Sequence, residues 1–179
     1  MIRIALAGKS GAGKTTLARQ LSQICGVPVD SFAAPLKLMA AQLNVGGKGF
    51  EARRFYQHVG TATREALGDD VFVAALERRL AEAGGSVIID DLRFPVELAW
   101  CLRNGFLLVY LEGSFVPLPA DLDAHPSEQG ICPQDCHLVL PAASSLSSRA
   151  RLVLEALHHA TPVIAQGENP EGWGVYAAS

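Results

Sequence analysis

Residues 8–15 read GKSGAGKT, and residues of these types at this spacing can grip a chain of phosphates. Gly8, Gly11 and Gly13 let the backbone curl without a side chain in the way, so the N–H groups from about Gly11 through Ala12 and Gly13 to Thr15 can converge on one anion. Lys14 places a cation between the β and γ phosphates, and the Thr15 hydroxyl is the expected magnesium ligand. Thr16 is grouped with them at the edge of the nucleotide site. Magnesium also calls for carboxylate at the end of a neighbouring strand. Asp90 and Asp91 follow the apolar run 86–89 and can supply it; Asp91 is the first choice for the metal or substrate side, with Asp90 next. The alternative for either acid is to cap the helix entered through Pro95.

An acceptor of the phosphoryl group needs its own donors. Lys37, Arg53, Arg54, Gln57 and Arg64 lie between the glycine-rich turn and the acid pair, and Arg93 lies just after it. Immobile, bidentate donors suit a phosphate best, and arginine provides them better than lysine. Arg64 and Arg93 are therefore the expected clamps, and Lys14, Arg64, Asp91 and Arg93 the expected catalytic set. No His or Cys nucleophile is required, because transfer to an oxyanion depends on alignment and charge cancellation.

The elements that must position these residues alternate in type. Residues 2–7 form a short apolar run expected of a strand covered on both faces, and a helix is predicted from Lys14 to about Cys25, where Gly26 and Pro28 stop it. Further strands are predicted at 27–32, 86–89, 106–111 and 137–140. Helices are predicted at 33–43, 51–67, 70–82, over about ten residues from Pro95, and at 144–159. Residues 112–136 hold four prolines and no Lys or Arg, which reads as a long loop with at most one helical turn. The polar, glycine-rich stretch 161–179 reads as a tail, pinned by Trp173 and Tyr176 or mobile. The pattern predicts an α/β fold: a doubly wound parallel sheet of about five strands flanked by helices, in one domain over 1–160.

Composition narrows the function. Fifteen Lys plus Arg against 18 Asp plus Glu give a net charge of −3, with no basic run, so nucleic acid is not the expected partner. The four cysteines, at 25, 101, 132 and 136, are expected to be reduced thiols. Cys132, Cys136 and His137 read as a loop meeting a buried strand rather than a zinc site. Charged and glycine-rich residues arrive by Lys9, too soon for a signal peptide, and there is no run of 18 apolar residues. A soluble protein without membrane contact is expected, cytoplasmic, or in the host cytoplasm if viral. Trp100 and the apolar face of the 95–104 helix serve either the core or a homodimer contact.

Several motifs together are more specific than the glycine turn alone. GKSGAGKTTLA at 8–18, SFAAPLK at 31–37, YQHVGTATRE at 56–65, IIDDLRFPVE at 88–97, and HPSE at 125–128 followed by Asp135 occur in the order found in phage-type deoxynucleoside monophosphate kinases. The chain resembles that branch of the P-loop nucleoside monophosphate kinases over residues 1 to about 140. The resemblance implies transfer of the ATP γ-phosphate, with Mg2+, to a deoxynucleoside monophosphate. It implies that residues of about 33–82 form the acceptor-binding helices and that 112–136 is a lid-like insertion. Carried over by position, Phe32, Ala34, Pro35 and Lys37 would line the acceptor pocket, and Gln57, Gly60, Thr61 and Arg64 would surround the monophosphate. Asp91, Arg93 and Glu97 would line the same cleft, with His125, Ser127 and Glu128 on the lid near the nucleotides. The chain departs from the family at Val96, where Asn is common, and at Glu112, where Arg is common. Its lid segment lacks basic residues, which leaves Arg149 and Arg151 as candidates to neutralise the phosphoryl group in transit. Two other readings remain at this point. One is a kinase similar to dephospho-coenzyme A kinase, with Asp30 as base for an acceptor hydroxyl; the other is a non-catalytic nucleotide-binding regulatory protein.

Overall fold

The computed structural model describes residues 1–45, 49–113, 117–164 and 176–177, the last two stretches partly by backbone alone. Six parallel strands form one sheet in the order β2-β3-β1-β4-β5-β6: β1 (Arg3–Ala7), β2 (Val29–Asp30), β3 (Val87–Ile89), β4 (Leu107–Leu111), β5 (Leu138–Leu140) and β6 (Tyr176–Ala177). The helices are α1 (Lys14–Cys25), α2 (Ala34–Gln42), α3 (Phe50–Leu67), α4 (Val71–Ala83), α5 (Pro95–Arg103), α6 (Ala120–Asp123), α7 (Pro126–Gln129) and α8 (Leu146–Ile164).

Strand β1 is central, with Ile4 opposite Ile88 of β3 on one side and Leu107 of β4 on the other. Because side chains alternate along a strand, its residues divide between two cores. Ile4 and Leu6 pack with Leu17 and Leu21 of α1 and Val153 of α8. Ala5 and Ala7 face Leu36 of α2, Leu76 of α4 and Trp100 of α5. The unbroken apolar run of β1 thus reflects burial on both faces. Strand order reverses at β1, where β3 and β4 leave in opposite directions, and a crevice opens at the C-terminal ends of these strands.

The observed strands are shorter than the apolar runs that announce them: β2 keeps two residues of the six at 27–32. Residues 31–33 leave the sheet because the Asp91 carboxylate captures the N–H groups of Phe32 and Ala33. The lid-position segment contains two short helices and a 3-10 turn at Pro133–Asp135, more order than one helical turn. Helix α8 runs past the expected boundary at 160 to Ile164, and β6 adds a strand within the stretch read as tail. Its pairing is backbone register alone, Leu138 opposite Tyr176; Trp173 lies outside the described residues. All four cysteines are free thiols, and burial pushes that of Cys136 up to about 12. Among the described residues no helix is long and apolar enough to cross a membrane.

Candidate active site

The turn between β1 and α1 is built by three glycines at positive φ, Gly8 at 128°, Gly11 at 83° and Gly13 at 94°. Any Cβ on Gly8 would collide with the Leu111 carbonyl, so the loop lies hard against the end of β4. Ala12 is buried, and its carbonyl accepts from Arg149 Nη1 at 3.0 Å. Lys14 opens α1, and its Nζ donates to the carbonyls of Gly8 at 2.5 Å and Lys9 at 2.8 Å. Burial, aided by the nearby Arg93 guanidinium, lowers the Lys14 pKa to about 7.

At the next residue of the same helix, Thr15 Oγ1 donates to Asp90 Oδ2 at 2.8 Å. Asp90 Oδ1 is buried without a hydrogen bond, and Lys37 Nζ stands 3.5 Å from it. A hydroxyl and a carboxylate with a spare oxygen fit magnesium, a hard cation that takes few protein ligands and completes its shell from phosphate and water. Among the described residues no group of three or more His, Cys, Asp or Glu could hold a metal by itself. The geometry pairs Thr15 with Asp90 and sets Asp91, the first choice for the metal or substrate side, beside Lys37 in the same cavity. Asp91 accepts from Phe32 N at 2.8 Å and Ala33 N at 3.1 Å, with Lys37 Nζ at 3.8 Å, and so pins the segment leading into α2. Its burial raises its pKa, with Lys37 opposing.

Across the cavity, Arg64 of α3 donates to Glu97 Oε1 at 3.1 Å, and its guanidinium lies 3.7 Å from the Phe94 ring centroid and 4.7 Å from that of Phe72. Two aromatic faces and one carboxylate hold the fork nearly immobile. Glu97 is itself buried and also accepts from the backbone N–H groups of Arg93 and Phe94, at 3.0 and 3.1 Å. Burial, with Asp91 nearby, raises its pKa to about 7. Gln57 Nε2 is spent on Leu122 O at 3.0 Å, fastening α3 to α6. His125 caps α7 by accepting from Ser127 N at 3.2 Å, and its Nε2 meets Thr61 Oγ1 at 3.2 Å. Phe32 is buried edge-on to Trp100, with ring centroids 5.9 Å apart.

These groups line one cavity of about 480 Å³. It collects Gly11, Gly13, Lys14, Thr15 and Thr16 from the glycine loop and α1, Phe32 from the turn after β2, Lys37 from α2, Gln57 and Arg64 from α3, Asp90, Asp91 and Arg93 from the stretch after β3, Glu97 from α5, and His125 and Glu128 from the start and body of α7. Arg149 and Arg151 are not among the lining groups. Arg149 is buried behind the loop on the carbonyls of Ala12, Pro141 and Ala142, and Arg151 pairs with Glu155 at 2.8 Å on the exposed side of α8. Asp30 also turns elsewhere, bound through both oxygens to Arg79, with the closest contact 2.9 Å. Phe50, Tyr56, Phe72 and Phe94, which sequence reasoning did not place in the site, also line the cavity, and so does Arg53, offered there only as one of several donors. The signal for Arg53 was its spacing: 53, 57, 60 and 64 follow the helical period and share one face of α3.

No family model matches the chain. It is similar to a cytidylate kinase of Pyrobaculum aerophilum, 30% identical over 115 residues that cover 64% of this chain and 55% of that protein. It is also similar to a cytidylate kinase of Pyrobaculum arsenaticum, 29% identical over 115 residues with the same coverage. The chain thus matches little more than half the length of these relatives. Among solved structures, a gluconokinase from Sinorhizobium meliloti 1021 superposes with a TM-score of 0.58 at 18% identity, over 93% of this chain and 98% of that one. The architecture is accordingly a P-loop kinase fold, an all-parallel sheet flanked by helices.

Proposed function

We propose that the protein transfers the γ-phosphoryl group of ATP to a nucleoside monophosphate, most specifically a deoxynucleotide, giving the diphosphate. The observation that carries this reading is the immobilised Arg64 guanidinium, set between Phe72 and Phe94 in the same cavity as the glycine loop. One cavity therefore has two separate means of holding phosphate, and Phe50, Tyr56, Phe72 and Phe94 provide the flat apolar walls a nucleobase can use. The similarity to cytidylate kinases supports a nucleotide acceptor, and the motif resemblance supports the deoxy form.

In the proposed reaction an oxygen of the acceptor phosphate bonds to the γ phosphorus while the bond from that phosphorus to the β,γ-bridging oxygen breaks. The bonding pair stays on that oxygen, now the terminal oxygen of ADP, and no proton has to be removed. The N–H groups of the glycine loop hold the β phosphate, and Lys14 bridges β and γ. Magnesium, held by Thr15 and Asp90, would offset charge between these phosphates. Arg64 and Lys37 orient the acceptor, while Asp91 keeps α2 in place to receive it.

The test is an acceptor panel of dAMP, dGMP, dCMP, dTMP and CMP with ATP and magnesium, read by nucleotide chromatography. Turnover of at least one acceptor is expected; folded protein inactive on all of them ends the proposal. A base at Asp30 finds no support, since Arg79 occupies both of its carboxylate oxygens. Asp30→Asn is expected to lower the unfolding temperature and leave kcat within about twofold, the outcome of losing a partly buried pair and no catalytic group.

A further inference from the structure

Helix α7 pushes an acid into a nest of donors. Glu128 Oε2 accepts from the Ser10 N–H at 3.3 Å, while Oε1 accepts from Arg93 Nη1 and lies 3.7 Å from Arg53 Nη2. Its side chain is 1% exposed, and Arg53 Nη1 is buried beside it with no hydrogen bond. The helix is held down by Arg93 Nη1 donating to Ser127 O at 3.1 Å and by Gly130, where a Cβ would strike the Arg93 carbonyl. A carboxylate that takes a backbone N–H on one oxygen and faces two guanidinium groups with the other has the surroundings of a phosphate.

We propose that Ser10 N–H, Arg53 and Arg93 form the subsite for the γ-phosphoryl group in transit, and that Glu128 is its counter-ion until a nucleotide displaces it. The inference rests on the phosphoryl-transfer reading above. Ser10 lies one residue upstream of the 11–15 N–H run assigned to the β phosphate, so its N–H falls at the γ end of the chain. The phosphoryl group carries more negative charge than one carboxylate, so a site ringed by Arg53, Arg93 and Lys14 favours the exchange. Residues 112–136 contain no Lys or Arg; α3 supplies the missing cation through Arg53. As the γ phosphorus passes from the β,γ-bridging oxygen to the acceptor oxygen, these guanidinium groups stay with the three oxygens that move with it.

Calorimetric titration of wild type, Arg53→Gln, Arg53→Lys and Glu128→Gln with Mg-ATP, Mg-ADP and nucleoside monophosphate tests this without turnover. Arg53→Gln is expected to weaken ATP about tenfold or more while leaving ADP within about twofold, and Arg53→Lys to recover part of the loss. Glu128→Gln is expected to melt lower when empty, to bind ATP tighter relative to ADP, and to regain its melting temperature when ATP is added. An unchanged ATP-to-ADP ratio in folded Arg53→Gln overturns the inference. So does a loss confined to the monophosphate, which would reassign Arg53 to the acceptor. Wild type that binds neither nucleotide overturns both this inference and the function on which it rests; wild type that prefers ATP but turns over no acceptor removes only the latter's catalytic step.

Discussion

Lys14 sits among the carbonyls of its own loop, so deeply that burial brings its pKa to about 7. A bound polyphosphate favours the charged form, so nucleotide binding above that pH draws a proton from solution. ATP affinity is therefore expected to fall as pH rises from 7 to 9. Calorimetry in buffers of different ionisation enthalpy should detect up to one proton taken up, and Lys14→Met should abolish both effects. Glu97 bears instead on stability. Its folded pKa of about 7 lies above the ordinary 4.5, so between these values the folded chain holds more protons than the unfolded one. Unfolding free energy from this group then decreases as pH rises through that window. Glu97→Gln should flatten the pH dependence of the urea midpoint there, while its loss of charge opposite Arg64 should raise the KM of the acceptor.

The two acids at the end of β3 can be separated by the elements they serve. Asp91 fastens the start of α2 through Phe32 and Ala33, whereas Asp90 meets Thr15 of α1. Asp91→Ala is expected to cost about 1–3 kcal/mol by orphaning two N–H groups and to raise the acceptor KM more than the ATP KM. Asp90→Asn should instead raise the magnesium concentration needed for half-maximal ATP binding, with little change for the acceptor. A magnesium requirement shifted by Asp91→Ala alone would reverse this assignment. At the end of α7, Gly130 has ordinary backbone angles, φ −77°, so the demand for glycine there is one of space. Gly130→Ala is expected to loosen α7 from Arg93, read as faster amide exchange over 126–130 with exchange in β1 unchanged.

At the scale of the molecule, the sheet separates two cores, one against α1 and α8 and one against α2, α4 and α5. Trp100 lies in the latter core, 5% exposed, with Phe32 and Phe106 as ring neighbours and its Nε1 donating to Glu77. Of the two uses open to it in the sequence, the structure takes the interior. Trp100→Ala is expected to cost about 3–5 kcal/mol in a denaturant titration, and the resulting space next to Phe32 should weaken acceptor binding before ATP binding.

The sequence by itself determined the glycine turn, the strands around it and the order of the sheet-forming segments. These depend on local rules: backbone freedom at Gly8, Gly11 and Gly13, and continuous apolar runs where both faces are covered. It also offered Arg64 and Arg93 through the chemistry of arginine and Glu128 through motif order, and all three line the cavity. Partnership was a different matter. Which acid meets Thr15, that Asp30 is consumed by Arg79, that Arg149 lies behind the loop, and that Glu128 sits between Arg53 and Arg93 depend on side chains separated by 35 to 137 positions. Hydrogen bonds and ion pairs act over a few ångströms, so only the folding of the chain decides which charges come within that reach.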